Sequence, residues 1–322
     1  MNKQTVVTIC LTFILSVGIC KAQPVEEHGR LSVKGINLVD QHNHVVMLQG
    51  VSYGWHNFWP RFYNEQTVKW LRDDWGCSVV RAAMGVEPAR GYLDSAEWSK
   101  QKIEAVVDGA IQSGIYVIID WHCHHRKPEE AKTFFTEMAK KYGKYPNIIY
   151  EIYNEPERDT WPEVKEYSID VMKTIRQYDP DNIILVGNTH WDQDVNIVAD
   201  DPIKGFSNIM YTIHFYAATH KQSLRDRADY ALKKGIPLFD SESAGMSASG
   251  NGPIDYDEWQ KWIGWLHANN ISWVTWSISD KNETCSMLKT SASSYGNWKP
   301  DDLKDSGIKT REMLRHYAGL DK

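Results

Sequence analysis

The chain has 322 residues, with 36 Lys and Arg against 42 Asp and Glu, and a formal net charge of −6. A mildly acidic balance without a basic run argues against a nucleic-acid partner and suits a neutral substrate. The aromatic residues are 14 Trp and 16 Tyr against only 8 Phe, a bias toward side chains with one flat apolar face and one polar edge, as half-wet binding sites use.

The first 22 residues read as a secretory signal peptide. Lys3 gives a short basic start, Val6 to Ile19 is apolar but too short to span a bilayer comfortably, and Cys20-Lys21-Ala22 ends on a small residue before Gln23. The expectation is a secreted, extracellular protein. Cleavage there leaves 300 residues and a net charge of −8, because Lys3 and Lys21 leave with no acid. No later segment resembles a membrane span, so no membrane partner is expected. Of five cysteines, Cys77, Cys123 and Cys285 remain, an odd number that predicts no disulfide framework in a chain long enough to build its own core.

No repeat or linker interrupts residues 31–320, which predicts one domain over 23–322. Leu31–Val39 and the turn Gln41-His42-Asn43-His44 predict a small β-hairpin that plugs one end of the fold. Eight apolar runs then follow: Val46–Val51, Ser78–Met84, Ile115–Trp121, Ile148–Tyr153, Ile183–Val186, Ile209–His214, Ile236–Phe239 and Ser272–Ser277. Helical periodicity separates them near 65–75, 98–112, 129–143, 161–178, 221–234 and 256–269, with 304–317 last; the segment after the fifth strand is the poorest helix. Eight alternating units predict an α/β fold, the (β/α)8 TIM barrel; an open doubly wound sheet is the alternative, but the Gly-rich phosphate turn that usually follows its first strand is absent.

Barrel enzymes work at the C-terminal ends of their strands. Those ends carry Arg81, Trp121, His122, Asn154, Glu155, Trp191, His214, Tyr216, Glu242 and Trp276, with His56 and Trp59 in the first loop and Lys281 and Glu283 in the last. Two carboxylates from two strand ends, Glu155 in Tyr153-Asn154-Glu155-Pro156 and Glu242 in Asp240-Ser241-Glu242, are what glycosidic-bond cleavage needs: one protonates the leaving oxygen, the other attacks or activates water. Asp240, two residues before Glu242 and on its side by strand alternation, is the alternative nucleophile, one layer deeper. Glu151 reads as a buried, hydrogen-bonded carboxylate. His122-Cys123-His124-His125 is no metal motif, because adjacent side chains diverge and no matching ligand set recurs elsewhere. No cofactor is expected.

Asp120-Trp121-His122, Tyr153-Asn154-Glu155-Pro156, His214-Phe215-Tyr216, Glu242 and the run Trp276 to Glu283 together resemble glycoside hydrolase family 5, in its branch of secreted bacterial and invertebrate endo-β-1,4-glucanases. The likeness runs from about residue 31 to 318. It implies a retaining double displacement on β-1,4-glucan chains by a monomer, with Glu155 as acid/base and Glu242 as nucleophile. Arg81 and Tyr216 would hold Glu242, and His214 would orient Glu155. The charge on Glu242 would raise the pKa of Glu155, so that it keeps its proton. Asn154 would donate to the sugar 2-hydroxyl, and His122 would bind the same ring. Trp276 would form its floor, Lys281 and Glu283 would hold the next sugar, and Trp191 would stack on the leaving side. His56 is placed in the cleft with Trp59. A β-mannanase, a mixed-linkage or xyloglucan-preferring glucanase, and a non-catalytic carbohydrate-binding barrel are the alternatives.

Overall fold

The computed structural model describes residues 23–321. The segment read as a signal peptide lies outside them. After a short helix (Pro24–His28) come β1 (Ser32–Lys34) and β2 (Asn37–Val39), paired antiparallel. Their turn is at Gly35, whose φ of 61° glycine adopts without strain, and not at residues 41–44. The latter form a second turn, in which Asp40 Oδ1 accepts from the backbone N–H groups of His42 and His44 at 2.8 and 2.9 Å, and Val39 bridges Val45.

Eight parallel strands then close a barrel: β3 (Gln49–Tyr53), β4 (Val79–Gly85), β5 (Tyr116–His122), β6 (Ile148–Glu151), β7 (Ile183–Val186), β8 (Ile209–Tyr216), β9 (Leu238–Ala244) and β10 (Trp273–Ile278). Strand β10 pairs with both β9 and β3, which closes the ring. One apolar cluster joins Val79, Ile118, Ile149, Leu185, Phe239 and Val274 of the strands to Leu31, Leu38, Val46 and Leu48 before them. The N-terminal segment is therefore the plug that the sequence implies. Burying each such side chain contributes roughly 1.5–3 kcal/mol.

The helices outside follow from local signals. Trp161–Arg176 starts with a capping box between Thr160 and Glu163, and Ala96–Ser113 stops at Gly114, whose φ is 64°. The periodic segment 65–75 is an α-helix only over Glu65–Trp70; Leu71–Trp75 widens into a π-turn that ends on Gly76. After β7 the chain makes only two short turns, Thr189–Asp192 and Val195–Asp200, where the helical pattern is weakest. Among the described residues no helix is long and apolar enough to cross a membrane. Cys77, Cys123 and Cys285 are buried free thiols.

Candidate active site

Apolar strands that turn polar only at their C-terminal ends put the polar side chains on one rim. Arg81, from β4, is fully buried at the centre of that rim. Its Nε and Nη2 donate to Glu151 at 2.8 and 3.0 Å, its Nη1 to Glu242 Oε2 at 2.9 Å, and its Nη2 also to Asn154 Oδ1 at 2.5 Å. The planar fork thus fixes Glu151 and Asn154 from the end of β6 and Glu242 from β9 at once. Glu151 is the buried, hydrogen-bonded carboxylate expected, and Arg81 beside it brings its pKa to about 2 against the opposing effect of burial. Tyr216 donates to the other oxygen of Glu242 at 2.7 Å.

Glu242 reaches this place through a bulge. Strand β8 pairs Thr212 with Phe239 and then His214 with Glu242, so two residues advance on β8 for three on β9. Ser241 and Glu242 consequently both serve the polar interior: Ser241 Oγ bonds His214 Nε2 and Glu151 Oε1, each at 2.9 Å. Counting by alternation from Glu242 back to Asp240 fails for the same reason. Asp240 is fully buried, shares none of Glu242's hydrogen bonds, and is pushed by burial well above the usual carboxylate range.

Glu155 stands opposite. Its Oε1 is 3.0 Å from His214 Nδ1, and its Oε2 is 3.7 Å from His124 Nδ1. A donor atom of each of Glu155, His214 and Glu242 lies within 4.8 Å of the others. This is the set among the described residues close enough to gather on a cation, but both nitrogens of His214 and both oxygens of Glu242 already have protein partners. The arrangement suits proton transfer and attack better than metal binding. The proton on Glu155 departs from expectation: burial alone would raise its pKa, but the hydrogen bond and charge of His214 outweigh burial and lower it. His214 is correspondingly raised well above the ordinary histidine range, burial being outweighed by Asp192, Glu151 and Glu155.

Between these groups opens a cleft of about 560 Å³ lined by both carboxylates, Tyr216, His122 and Trp276. His122 Nδ1 bonds Asp120 Oδ2 at 2.7 Å, and burial, aided by Arg81, pulls its pKa down to about 3. With Nδ1 engaged by Asp120, Nε2 is the ring nitrogen left to meet a sugar hydroxyl. Trp276 stacks on it at 5.2 Å. Asn154 Nδ2 is buried without a partner, a donor waiting for an acceptor. Lys281 and Glu283 line the cleft as a 2.5 Å ion pair. Trp59 lines it too, and Trp191 sits beside the Asn-Glu-Pro loop, its N–H donated to Pro156 at 3.2 Å and its ring 41% exposed.

His56 does not reach the cleft. It is fully buried, with Nε2 bonded to Ser99 Oγ at 2.8 Å and Nδ1 accepting from the Gly85 N–H at 3.1 Å, and burial pulls its pKa down to about 3. It pins the first loop while Trp55 and Phe58 from the same loop line the cleft. Trp55 packs edge-on against His122 at 4.4 Å and stacks with His124 at 5.8 Å. Trp55 and Phe58 escape the sequence reading as cleft residues; the aromatic density of Trp55-His56-Asn57-Phe58-Trp59 is the signal that points to them. A larger hollow, about 1040 Å³, lies elsewhere on the surface, and several of its charges pair with each other, as in Arg126–Asp159 at 3.0 Å and Lys165–Asp201 at 2.6 Å.

Residues 39–282 match the family model described as cellulase (glycosyl hydrolase family 5). An endoglucanase of Clostridium saccharobutylicum is 44% identical over 293 residues, which cover 89% of this chain and 65% of that protein. Endoglucanase N of Pectobacterium atrosepticum is 43% identical over 322 residues, covering 98% of this chain and 72% of its own length. The chain thus spans about two thirds of these relatives. A solved structure from Cytophaga hutchinsonii superposes with a TM-score of 0.91 at 49% identity, over 93% of this chain and 98% of that one. The catalytic domain of a Thermobifida fusca endoglucanase, solved with cellotetraose, gives 0.87 at 30% identity, over 91% and 100%. This chain belongs to glycoside hydrolase family 5, the cellulase family.

Proposed function

We propose that the protein is a secreted, monomeric endo-β-1,4-glucanase that cuts cellulose-type chains internally with retention of configuration. The observation that carries this reading is the closeness of Glu155 and Glu242, donor atoms within 4.8 Å of each other. Retaining pairs stand about 5–5.5 Å apart, whereas an inverting pair needs about 6.5–9.5 Å to admit a water. The cellotetraose bound by the Thermobifida fusca relative supports a β-1,4-glucan substrate. The leader expected before Gln23 supports export.

In this mechanism the scissile sugar lies on Trp276. Glu242, aimed by Arg81 and Tyr216, attacks the anomeric carbon while a proton passes from Glu155 to the leaving oxygen. In the free protein that proton is shared across the 3.0 Å hydrogen bond between His214 Nδ1 and Glu155 Oε1, and it reaches the leaving oxygen from Glu155. Asn154 Nδ2 donates to the 2-hydroxyl, a contact that strengthens as the ring becomes cationic. Water then enters, Glu155 takes its proton, and the ester on Glu242 breaks. Lys281 and Glu283 hold the neighbouring sugar on one side and Trp191 stacks on the other.

Hydrolysis of carboxymethylcellulose, mixed-linkage glucan, xyloglucan and mannan tests the substrate assignment. The expected result is a fast fall in viscosity of carboxymethylcellulose and little release from mannan. Preferential cleavage of mannan leaves the chemistry standing and removes the glucan assignment. Binding without cleavage of any polymer removes the enzyme reading.

A further inference from the structure

Behind His214, on the side away from Glu155, lies an acid that the mechanism above does not use. Asp192 is fully buried; its Oδ1 accepts from the Asn188 N–H, and its Oδ2 has no hydrogen-bond partner and sits 3.4 Å from His214 Nε2. Its position is built with some effort. His190, Trp191 and Asp192 all adopt left-handed backbone, with φ of 53°, 55° and 60°, a conformation that costs roughly 1–2 kcal/mol for each L-residue. The turn is tied down by Thr189 Oγ1 to Asp194 Oδ2 at 2.8 Å, by Asp194 N to Asn188 Oδ1 at 2.8 Å, and by Trp191 N to Pro156 O.

The hydrogen bonds around His214 fix its proton count. Ser241 Oγ donates its single hydrogen to Glu151 Oε1, so it must accept from His214 Nε2, which is therefore N–H. The remaining contact, Nδ1 to Glu155 Oε1 at 3.0 Å, holds one proton, lying either on the imidazole or on the carboxyl. That is the proton the leaving oxygen needs.

We propose that Asp192 is a positioning residue for this proton: from behind His214 its charge draws the proton off Glu155 and so sets the upper pH at which Glu155 can act as an acid. The groups facing His214 are Glu151 at 3.8 Å, Glu155, Glu242 and Asp192, with Asp120, Asp240 and His220 further away. Glu151, near pKa 2, is a constant negative charge over the working range. Asp192 is not: burial, only partly opposed by His214, lifts its carboxyl well above the usual range, so its charge appears as pH rises. Below that pH the proton moves freely to Glu155. Above it, the imidazolium is favoured, Glu155 remains an anion, and protonation of the leaving group fails.

The inference rests on the proposed glucanase reading, and the pH profile of kcat/KM for wild type and Asp192→Asn tests it on two substrates. On cellotetraose, whose leaving sugar needs a proton, the basic limb of the variant moves up by about one pH unit, the low end of what one neighbouring charge exerts. On 2,4-dinitrophenyl β-cellobioside, whose leaving group needs no proton, the two profiles coincide. An unmoved limb on cellotetraose overturns the proposal, as does an equal shift on both substrates, which marks a merely structural role. Asp192→Ser replaces the variant if Asp192→Asn fails to fold. Should neither fold, or wild type prove inert on cellotetraose, the ring ¹⁵N shifts of His214 in wild type decide. Nδ1 gaining proton character as pH rises upholds the role of Asp192; Nδ1 only losing it overturns that role. Inertness of wild type on every glucan counts against the glucanase reading alone.

Discussion

Arg81 joins the nucleophile candidate to the floor of the site: its Nη1 donates to Glu242 Oε2 at 2.9 Å while its other nitrogens hold Glu151 and Asn154. A lysine offers three donors from one point and cannot span those directions. Arg81→Lys is expected to lose at least about 10²-fold in kcat/KM, the scale on which one preorganised electrostatic contact acts. Arg81→Met leaves buried carboxylates without their cation, at a cost of about 3–5 kcal/mol in stability. Steady-state kinetics and thermal unfolding check the two effects separately.

Asn154 has one side-chain donor spent on nothing in the free protein. If that donor meets the sugar 2-hydroxyl, Asn154→Ala lowers kcat by roughly 10²-fold with little change in KM, since the contact tightens only in the transition state. A 2-deoxy substrate should lose a similar factor with wild type and nothing further with the variant. Additive losses would place the donor elsewhere.

Phe58 is 54% exposed and lines the cleft, so truncation removes a stacking face without opening the core. Phe58→Ala is expected to leave the melting temperature unchanged and to weaken binding of long oligosaccharides by roughly 1–2 kcal/mol. Comparing KM for chains of increasing length shows whether the loss appears only beyond a given chain length.

His56 and His122 are held neutral by burial, each pulled from 6.5 to about 3. A lowered histidine leaves stability intact above pH 6.5, the ordinary value; below it the unfolded chain takes up protons that the folded chain refuses. Stability therefore declines between about pH 6.5 and 3. Denaturant midpoints over that range should fall as pH falls. His56→Gln should be less stable at pH 7 and should show a shallower decline, with kcat/KM little changed.

Much of the site is legible in the sequence because parallel strands are nearly continuous apolar runs, so a polar residue at a strand end stands out. That logic finds Arg81, His122, Asn154, Glu155, His214, Tyr216, Glu242 and Trp276. It fails where no period operates. The first loop has no repeat to say which of Trp55, His56, Phe58 and Trp59 points inward, and His56, a cleft residue by sequence, is the loop's buried pin. The bulge in β9 adds one residue and breaks the alternation that made Asp240 a rival of Glu242. The proton on Glu155 depends on Asp192, whose approach to His214 comes from a left-handed turn that no local pattern announces.

The central claim is that Glu242 is the nucleophile and Glu155 the acid/base, and azide rescue separates the two most directly. Glu242→Ala and Glu155→Ala are each supplied with azide and an activated β-cellobioside. The account predicts an α-glycosyl azide from Glu242→Ala, formed by direct inversion, and a β-glycosyl azide from Glu155→Ala, formed through the enzyme ester. A Glu242→Ala variant that hydrolyses as fast as wild type, or one that yields the β-azide, contradicts it.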